Sequence, residues 1–382
     1  MQYRLGFLGF LGGSEVAQQG VRNAGLLDQR AALQWIQRNV RAFGGDPARV
    51  TIWGASAGGG SVTAHLIANG ASGEPPFSAA IAEYPWWQPY LNDSQQEFSY
   101  RNALRLSDCE DIACLRKLSS EKAITLGQAV TNESYPGPSA IYGTYYWGPV
   151  VDGTFIQNLP SIEFGRGRFH DVPLIVDRNA YEGYIFTEKD FSINADNTTY
   201  DAARDLELLF PFAGPAFRSR LYQLYPRESF NSTLFQWQTW FGDFIINCPT
   251  YHMATNAVDR FANASTVFKM VFLGGRQAHG ATGSYLADED VSLPYATNKT
   301  LAEIMTSYWI SFTMTGDPNP RRSAKAAFWP SYASGGNDST PVGDLVGFST
   351  LMVNESTIDV EFDRNASSQC DFFLSHSFQV QN

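Results

Sequence analysis

Short apolar runs alternate with stretches of helical periodicity along most of the chain. The clearest helix pattern covers residues 24–43, where Leu27, Ala31 and Trp35 recur every four residues, and a β-prone run follows at 49–53. Further β-prone runs lie at residues 3–11, 79–82, 172–176 and 266–272, and further helical patterns at 205–224, 235–262 and 301–314. Strands separated by helices favour a mostly parallel sheet covered by helices on both faces, so the pattern predicts an α/β fold. With no internal repeat or charged linker, we expect one domain over residues 1–382.

A cluster of small residues surrounds one serine just after the run at 49–53. Residues Gly54 to Gly58 fit the pattern G-x-S-x-G, and a second apolar helix pattern, with Val62 and Leu66, follows them. A nucleophile on a sharp strand-to-helix turn needs neighbours without bulky side chains, because the backbone there is strained and close to the helix. The sequence therefore predicts that Ser56 is a nucleophile; the alternative is a glycine-rich turn with an ordinary serine.

A serine hydroxyl needs a histidine base and an acid that orients it, in the chain order serine, acid, histidine. His279 fits, since it follows the β-prone run at 266–272 on a glycine-flanked loop. Two acids follow the run at 172–176, and spacing favours Glu182 over Asp177 without excluding either. The remaining histidines are expected to be packed or on the surface: His65, His170, His252 and His376.

Composition restricts the classes of binding partner and the cellular location that we expect for this protein. A net charge of -11 argues against a basic patch that would bind nucleic acid. The sequence contains no run of eighteen apolar residues, which a membrane-spanning helix would need. Neither C-x-x-C motifs nor Cys/His clusters suggest a metal, and the predicted chemistry needs no cofactor. Four cysteines and an excess of N-x-Ser/Thr sites favour a secreted, disulfide-bonded glycoprotein. The acceptor asparagines are Asn92, Asn132, Asn197, Asn231, Asn263, Asn298, Asn337, Asn354 and Asn365.

Several stretches resemble, in order, the type-B carboxylesterase, cholinesterase-like branch of the α/β-hydrolases. They are YRLGFLGFL, the segment from AGLLDQ to WGASAGGGSV, WGPVVDG, NAYEG, the HG at 279–280, SFTMTGDPNP and WPSY. The resemblance implies hydrolysis of small-molecule or lipid esters, with Ser56 as nucleophile, Glu182 as acid and His279 as base. It also implies two disulfides, Cys109 with Cys114 and Cys248 with Cys370.

The chain departs from the family pattern at three places. Ala55 stands where cholinesterases carry an acid before the serine, and Tyr84 stands where many relatives carry a small residue. The glycine-rich loop that supplies oxyanion donors in relatives is absent, which leaves the backbone N–H of Ala57. We therefore expect an upstream segment, with the first strands of the sheet, to be missing before Met1.

Two questions stay open at this stage. A group of aromatic residues either lines a substrate pocket or packs in the core: Tyr84, Trp86, Trp87, Tyr145, Tyr146 and Trp147. The chain is also open to two readings besides an active esterase, namely a non-catalytic binding member of the same fold and an inactive fragment of an esterase.

Overall fold

One six-stranded sheet forms the centre of the molecule. The computed structural model describes residues 1–134, 144–186, 206–207, 209–286, 298–334 and 348–382. The strands lie side by side in chain order: β1 (Thr51–Ala55), β2 (Ala79–Glu83), β3 (Leu174–Asn179), β4 (Val267–Phe272), β5 (Ser349–Val353) and β6 (Ile358–Phe362). The first five strands are parallel and β6 is antiparallel to β5, so the predicted mostly parallel sheet is confirmed.

Helices connect the strands and cover the sheet. Those before β3 are α1 (Gly6–Phe10), α2 (Ser14–Gln19), α3 (Ala24–Asn39), α4 (Ala57–Leu66), α5 (Asp93–Ser107), α6 (Ile112–Leu115), α7 (Ser120–Ser134) and α8 (Pro160–Gly165). Those after β3 are α9 (Pro215–Leu224), α10 (Thr233–Gly242), α11 (Cys248–Arg260), α12 (Gly283–Leu286), α13 (Lys299–Thr315), α14 (Ser368–Ser375) and α15 (Ser377–Val380).

Each face of the sheet is packed in a hydrophobic core of its own. Strand side chains alternate between faces, so in β3 Leu174 and Val176 join one core while Ile175 joins the other. The core around Ile175 includes Tyr308 and Trp309 of α13. Burial on both faces explains why these strands read as continuous apolar runs in the sequence.

The structure refines the predicted helices. The pattern at 24–43 is α3 followed by a 3₁₀ turn, Val40–Phe43. The pattern at 235–262 is α10 and α11 joined by a π-helical turn, Asp243–Asn247. In the pattern at 205–224, residues 206, 207 and 209 are helical and α9 begins at Pro215, a residue favoured at the first helical position, while residues 205 and 208 lie outside the described ranges.

The prediction of a strand over YRLGFLGFL is wrong, because residues 6–10 form α1. Gly6 has φ +52°, which breaks an extended run at that point. Phe7 is buried while Leu8 is 43% exposed, which leaves one face of a single helical turn against the core. Strands β5 and β6 were not predicted; β6 has only intermediate and exposed residues, so it lacks the buried alternation that marks a strand.

Both implied disulfides are present. Cys109 is bonded to Cys114, and Cys248 at the start of α11 is bonded to Cys370 in α14. The second bond ties the C-terminal segment to the helical layer.

The acceptor asparagines differ in accessibility. Five of them are exposed: Asn92, Asn132, Asn231, Asn263 and Asn354. Asn298 is half-buried, and Asn197 and Asn337 lie outside the described residues. Asn365 is 7% exposed and its Oδ1 accepts a hydrogen bond from Nε of Arg178 at 2.8 Å. Asn365 is thus the least accessible acceptor asparagine among the described residues.

Candidate active site

Ser56 lies on a strained turn between β1 and α4. Its φ of +57° and ψ of -118° are unusual for a residue with a side chain. The turn is held by backbone hydrogen bonds: Ser56 N–H donates to the carbonyl of Glu83 at 3.0 Å, and Trp86 N–H donates to the carbonyl of Ser56 at 3.0 Å. The end of β2 thus fixes the position of the serine.

The glycines around Ser56 are explained by close backbone contacts. A Cβ at Gly54 would lie 2.4 Å from the backbone of Gly58, and one at Gly59 would lie 2.6 Å from the carbonyl oxygen of Glu83. A Cβ at Gly60 would lie 2.4 Å from the carbonyl oxygen of Trp86. The small residues therefore make room for the backbone of α4 against β1 and the end of β2.

Three side chains that are far apart in the sequence meet at this turn. Nε2 of His279 lies 2.7 Å from Oγ of Ser56, and Nδ1 of His279 lies 2.6 Å from Oε2 of Glu182. Glu182 is 1% exposed and His279 is 8% exposed. The structure thus brings together the serine, the histidine and the favoured acid.

The loop after β3 orients Glu182. Oε1 of Glu182 accepts hydrogen bonds from the backbone N–H and from Nδ2 of Asn179, the latter at 3.0 Å. A Cβ at Gly183 would lie 1.8 Å from the carbonyl oxygen of Gln238, so only glycine allows α10 to approach this loop. The carboxylate is therefore held on one side by its own loop and on the other by His279.

Asp177, the alternative acid, does not contact His279. It lies inside β3, is fully buried, and its Oδ1 accepts a hydrogen bond from the backbone N–H of Tyr84 at 3.0 Å. Burial, together with the charge of Glu83, raises the pKa of Asp177 well above its usual range. The strand extends to Asn179, and Glu182 is the acid that the following loop carries to the histidine.

Aromatic rings enclose His279. The centroids of Tyr84 and Phe186 each lie 4.8 Å from the imidazole centroid, and that of Trp86 lies 6.0 Å away, all in edge-to-face geometry. Tyr145 contacts Trp86 at 5.6 Å and is 59% exposed. These rings form an apolar wall around the base.

The other aromatic candidates lie in the protein core. Trp87 stacks on Phe164 and is 2% exposed. Tyr146 and Trp147 pack against each other, and Trp147 contacts Phe7 of α1 at 5.6 Å. The six candidates therefore divide between the wall near His279 and the core.

None of the other histidines contacts Ser56. Burial lowers the pKa of His65 to about 3 and the pKa values of His170 and His252 to about 4, so these buried rings are neutral at pH 7. His65 bonds to Gln29 at 3.1 Å, and Nδ1 of His376 donates to the carbonyl of Phe372 at 2.8 Å. They are packed or structural, as expected.

The backbone N–H of Ala57 is the first of α4 and directly follows the serine. The first N–H groups of a helix have no partner within the helix, and the helix dipole favours a negative charge beside them.

The described ranges contain neither a metal-binding cluster nor a membrane-spanning helix. No group of three or more His, Cys, Asp or Glu side chains there has a geometry that could hold a metal ion. No helix in those ranges is both long and apolar enough to span a bilayer.

The chain is similar in sequence to curated proteins over most of its length. Carboxylesterase patB of Penicillium expansum is 29% identical over 329 residues, which cover 84% of this chain and 55% of the relative. Secreted lipase 1 of Botryotinia fuckeliana is 29% identical over 364 residues, covering 87% of this chain and 61% of the relative. The chain thus spans about 55% to 61% of the length of these two curated relatives.

The fold comparison extends over the whole chain. The crystal structure of Aspergillus niger EstA matches with a TM-score of 0.84 at 26% identity, covering 100% of this chain and 74% of EstA. The architecture is the α/β-hydrolase fold, as predicted. A model of the carboxylesterase family matches residues 1–343. Because this match covers most of the 382 residues, the chain belongs to the carboxylesterase family.

Proposed function

We propose that the protein is a serine hydrolase that cleaves carboxylic esters through an acyl-enzyme. The observation that carries the proposal is the continuous hydrogen-bond chain from Ser56 through His279 to Glu182. A serine hydroxyl bonded to an imidazole that is itself bonded to a buried carboxylate is the arrangement that activates an alcohol at neutral pH.

In the first step, Nε2 of His279 accepts the proton of Ser56 as Oγ attacks the ester carbonyl carbon. The Oγ–C bond forms and the carbonyl electron pair moves to oxygen, giving a tetrahedral intermediate. The imidazolium then donates its proton to the departing alcohol as the ester C–O bond breaks. Glu182 remains ionised, and it holds the ring and stabilises its positive charge.

In the second step, water hydrolyses the acyl-enzyme. His279 accepts a proton from water as the oxygen attacks the acyl carbon, and the same proton returns to Oγ of Ser56 when the Oγ–C bond breaks. The carboxylic acid leaves and the enzyme regains its starting state. The N–H of Ala57 stabilises the oxyanion in both steps, a type of contact worth about 2.7–4 kcal/mol per donor.

The aromatic wall supports an ester with an apolar portion next to the scissile bond. Trp86, Phe186 and Tyr145 would pack against that portion, while His279 stays shielded from bulk water. Relatives named as a carboxylesterase and as a secreted lipase support small-molecule or lipid esters as the substrate class. The two disulfides and the secreted relative also support an extracellular, glycosylated protein.

The proposal is tested by covalent labelling with an organophosphonate ester probe, followed by peptide mapping. The adduct is expected on Ser56, and Ser56→Ala is expected to be unlabelled. His279→Ala and Glu182→Gln should label much more slowly, whereas the matched control His252→Gln should label like the wild type. Folded wild-type protein that is neither labelled nor active on p-nitrophenyl esters would instead support the non-catalytic binding alternative.

A further inference from the structure

Two carboxyl side chains without a role in the proposed mechanism lie side by side below Ser56. Glu83 ends β2, and its register partner on β3 is Asp177. Register partners on adjacent strands project to the same face, and here that face is the one that also carries Ile81 and Ile175. Glu83 is 3% exposed and Asp177 is fully buried.

In each carboxyl group, one oxygen accepts a hydrogen bond and the other does not. Oε2 of Glu83 accepts a hydrogen bond from the indole N–H of Trp53, and Oδ1 of Asp177 accepts one from the backbone N–H of Tyr84 at 3.0 Å. Oε1 of Glu83 and Oδ2 of Asp177 have no partner among the described residues. An acidic hydrogen on one carboxyl would supply the donor that both oxygens lack.

The surroundings provide no counter-charge for this pair. None of the ion pairs in the described part of the chain includes either carboxylate. The neighbouring titratable groups that act on the pair are Tyr84 and Glu182, and the hydroxyl of Thr282 faces it from the His279 loop. Burial raises the pKa of Glu83 to about 7, and two adjacent buried carboxyl groups do not both ionise readily near neutral pH.

Tyr84 links the pair to the histidine. Its φ of +31° is unusual for a residue with a side chain, and its backbone N–H points at Asp177, bonding both Oδ1 and the main-chain carbonyl. Its ring meets the imidazole of His279 at a centroid distance of 4.8 Å and an angle of 76°. The strained backbone of Tyr84 is thus held by Asp177 on one side, and its ring supports His279 on the other.

We infer that Glu83 and Asp177 share a single proton at neutral pH and act as positioning residues that hold Tyr84 against His279. The inference rests on the proposed function, because it assigns a role in orienting the base. Loss of the shared proton at alkaline pH places two negative charges side by side and pushes Asp177 away from Glu83. Tyr84 then loses its hydrogen bond to Oδ1 of Asp177 and keeps only the one to the main-chain carbonyl, so the position of the imidazole relaxes.

The shared proton is tested without reference to activity, by infrared difference spectroscopy at pH 7. Wild type minus the double variant Glu83→Gln/Asp177→Asn is expected to show the carbonyl band of one protonated carboxyl group. If the double variant does not fold, Glu83→Gln alone serves, because its amide can donate to an ionised Asp177 as the shared proton does. Absence of the band from the difference spectrum overturns the inference.

The positioning role is tested by pH profiles of kcat/KM for a p-nitrophenyl ester. Each single amide variant mimics the singly protonated pair, so Glu83→Gln and Asp177→Asn should stay within about threefold of the wild type near pH 7. Asp177→Ala removes the side-chain acceptor and leaves Tyr84 only the main-chain carbonyl of residue 177, so this variant should lose about tenfold or more. As pH rises above neutral, the wild-type value should fall with one ionisation that is absent from both amide variants.

A matched control is Asp243→Asn, a half-buried carboxyl bonded to Tyr225 and Asn247 outside the pair, which should keep the wild-type profile. Amide variants that follow the wild-type alkaline curve, or that lose as much activity as Asp177→Ala, contradict the positioning role. Failure of the proposed function has a different signature: Ser56→Ala would be as active as the wild type, while the infrared band would be unaffected.

Discussion

Two buried acid clusters in the same sheet differ in the charge that accompanies them. On β4, Nζ of Lys269 forms an ion pair with Oδ2 of Asp363, and the hydroxyl of Tyr332 donates to the same oxygen at 2.7 Å. On β2 and β3, Glu83 and Asp177 form no ion pair with any residue that the structure describes. Burial opposes ionisation at Asp363, but the charge of Lys269 lowers its pKa overall, whereas the pKa values of Glu83 and Asp177 are raised.

The comparison teaches that burial alone does not decide the state of a carboxyl group in this protein. A neighbouring ammonium group keeps Asp363 ionised, and there the charges tie β4 to the C-terminal segment. Beside Ser56, neither Glu83 nor Asp177 has an ion-pair partner among the described residues. There the shared proton takes the place of the cation. We therefore expect changes in the Lys269 region to alter stability, and changes around Ser56 to alter activity.

The largest effect should come from Ser56→Ala. Loss of the nucleophile is expected to lower kcat for a p-nitrophenyl ester on the order of a million-fold. The melting temperature should stay nearly the same, because alanine keeps the Cβ of serine and the substitution removes only a hydroxyl bonded to His279. Activity assays and calorimetry on the same preparation check both halves. A large loss of stability would show that the two regions are not separable in this way.

Removing the Cys248–Cys370 bond should have the next largest effect, on stability alone. The bond closes a sequence separation of 122 residues, and chain entropy puts its contribution at about 5 kcal/mol. The separation for Cys109–Cys114 is 5 residues, for which about 2 kcal/mol is expected. Urea unfolding of the paired Cys→Ser variants measures the difference. Equal losses for the two bonds would contradict this chain-entropy account.

Lys269→Met should lower the free energy of unfolding by about 3–5 kcal/mol, because it leaves Asp363 buried and unpaired. The matched control is Lys325→Met, which breaks an exposed ion pair with Glu303 and should cost less than about 1 kcal/mol. The double variant Lys269→Met/Asp363→Leu should recover much of the loss. Denaturant titration distinguishes these cases, and similar losses at Lys269 and Lys325 would remove the contrast between buried and exposed pairs.

The smallest predicted effect is a pH dependence of stability at Glu83. A carboxyl whose pKa is raised on folding binds more protons in the native state, so its contribution to stability falls as pH rises from the unfolded value of 4.5 to about 7. The stability of Glu83→Gln relative to the wild type should therefore increase over that range, by at most about 1.4 kcal/mol per pH unit. Melting curves at several pH values test this, and a constant difference would mean that Glu83 is ionised throughout.

Local patterns in the sequence are sufficient to predict the serine and the histidine that the structure brings together. The glycines around Ser56 follow from the steric needs of one short segment, and these are visible in the sequence itself. The choice between Asp177 and Glu182 was not local, since it depends on where β3 ends. The strand continues to Asn179, which leaves Asp177 inside the sheet.

Elsewhere, contacts between residues far apart in the sequence could not be predicted from local patterns. The contact of Glu83 with Asp177 depends on the register of β2 against β3, and that of Lys269 with Asp363 joins residues 94 apart. Strand β6, at the edge of the sheet, lacks the apolar alternation that identified the central strands. The apolar residues of YRLGFLGFL were mistaken for a strand, because periodicity cannot separate a single helical turn from a strand in so short a run.

Trapping the acyl-enzyme is the most direct test of the central claim that Ser56 is the nucleophile. Rapid mixing with a p-nitrophenyl ester, acid quenching and peptide mass mapping should place one acyl group on the peptide that contains Ser56. The burst of p-nitrophenol should match the amount of acylated peptide, because acylation releases one alcohol per site. An acyl group on another side chain, or turnover without any acylated peptide, would contradict the account.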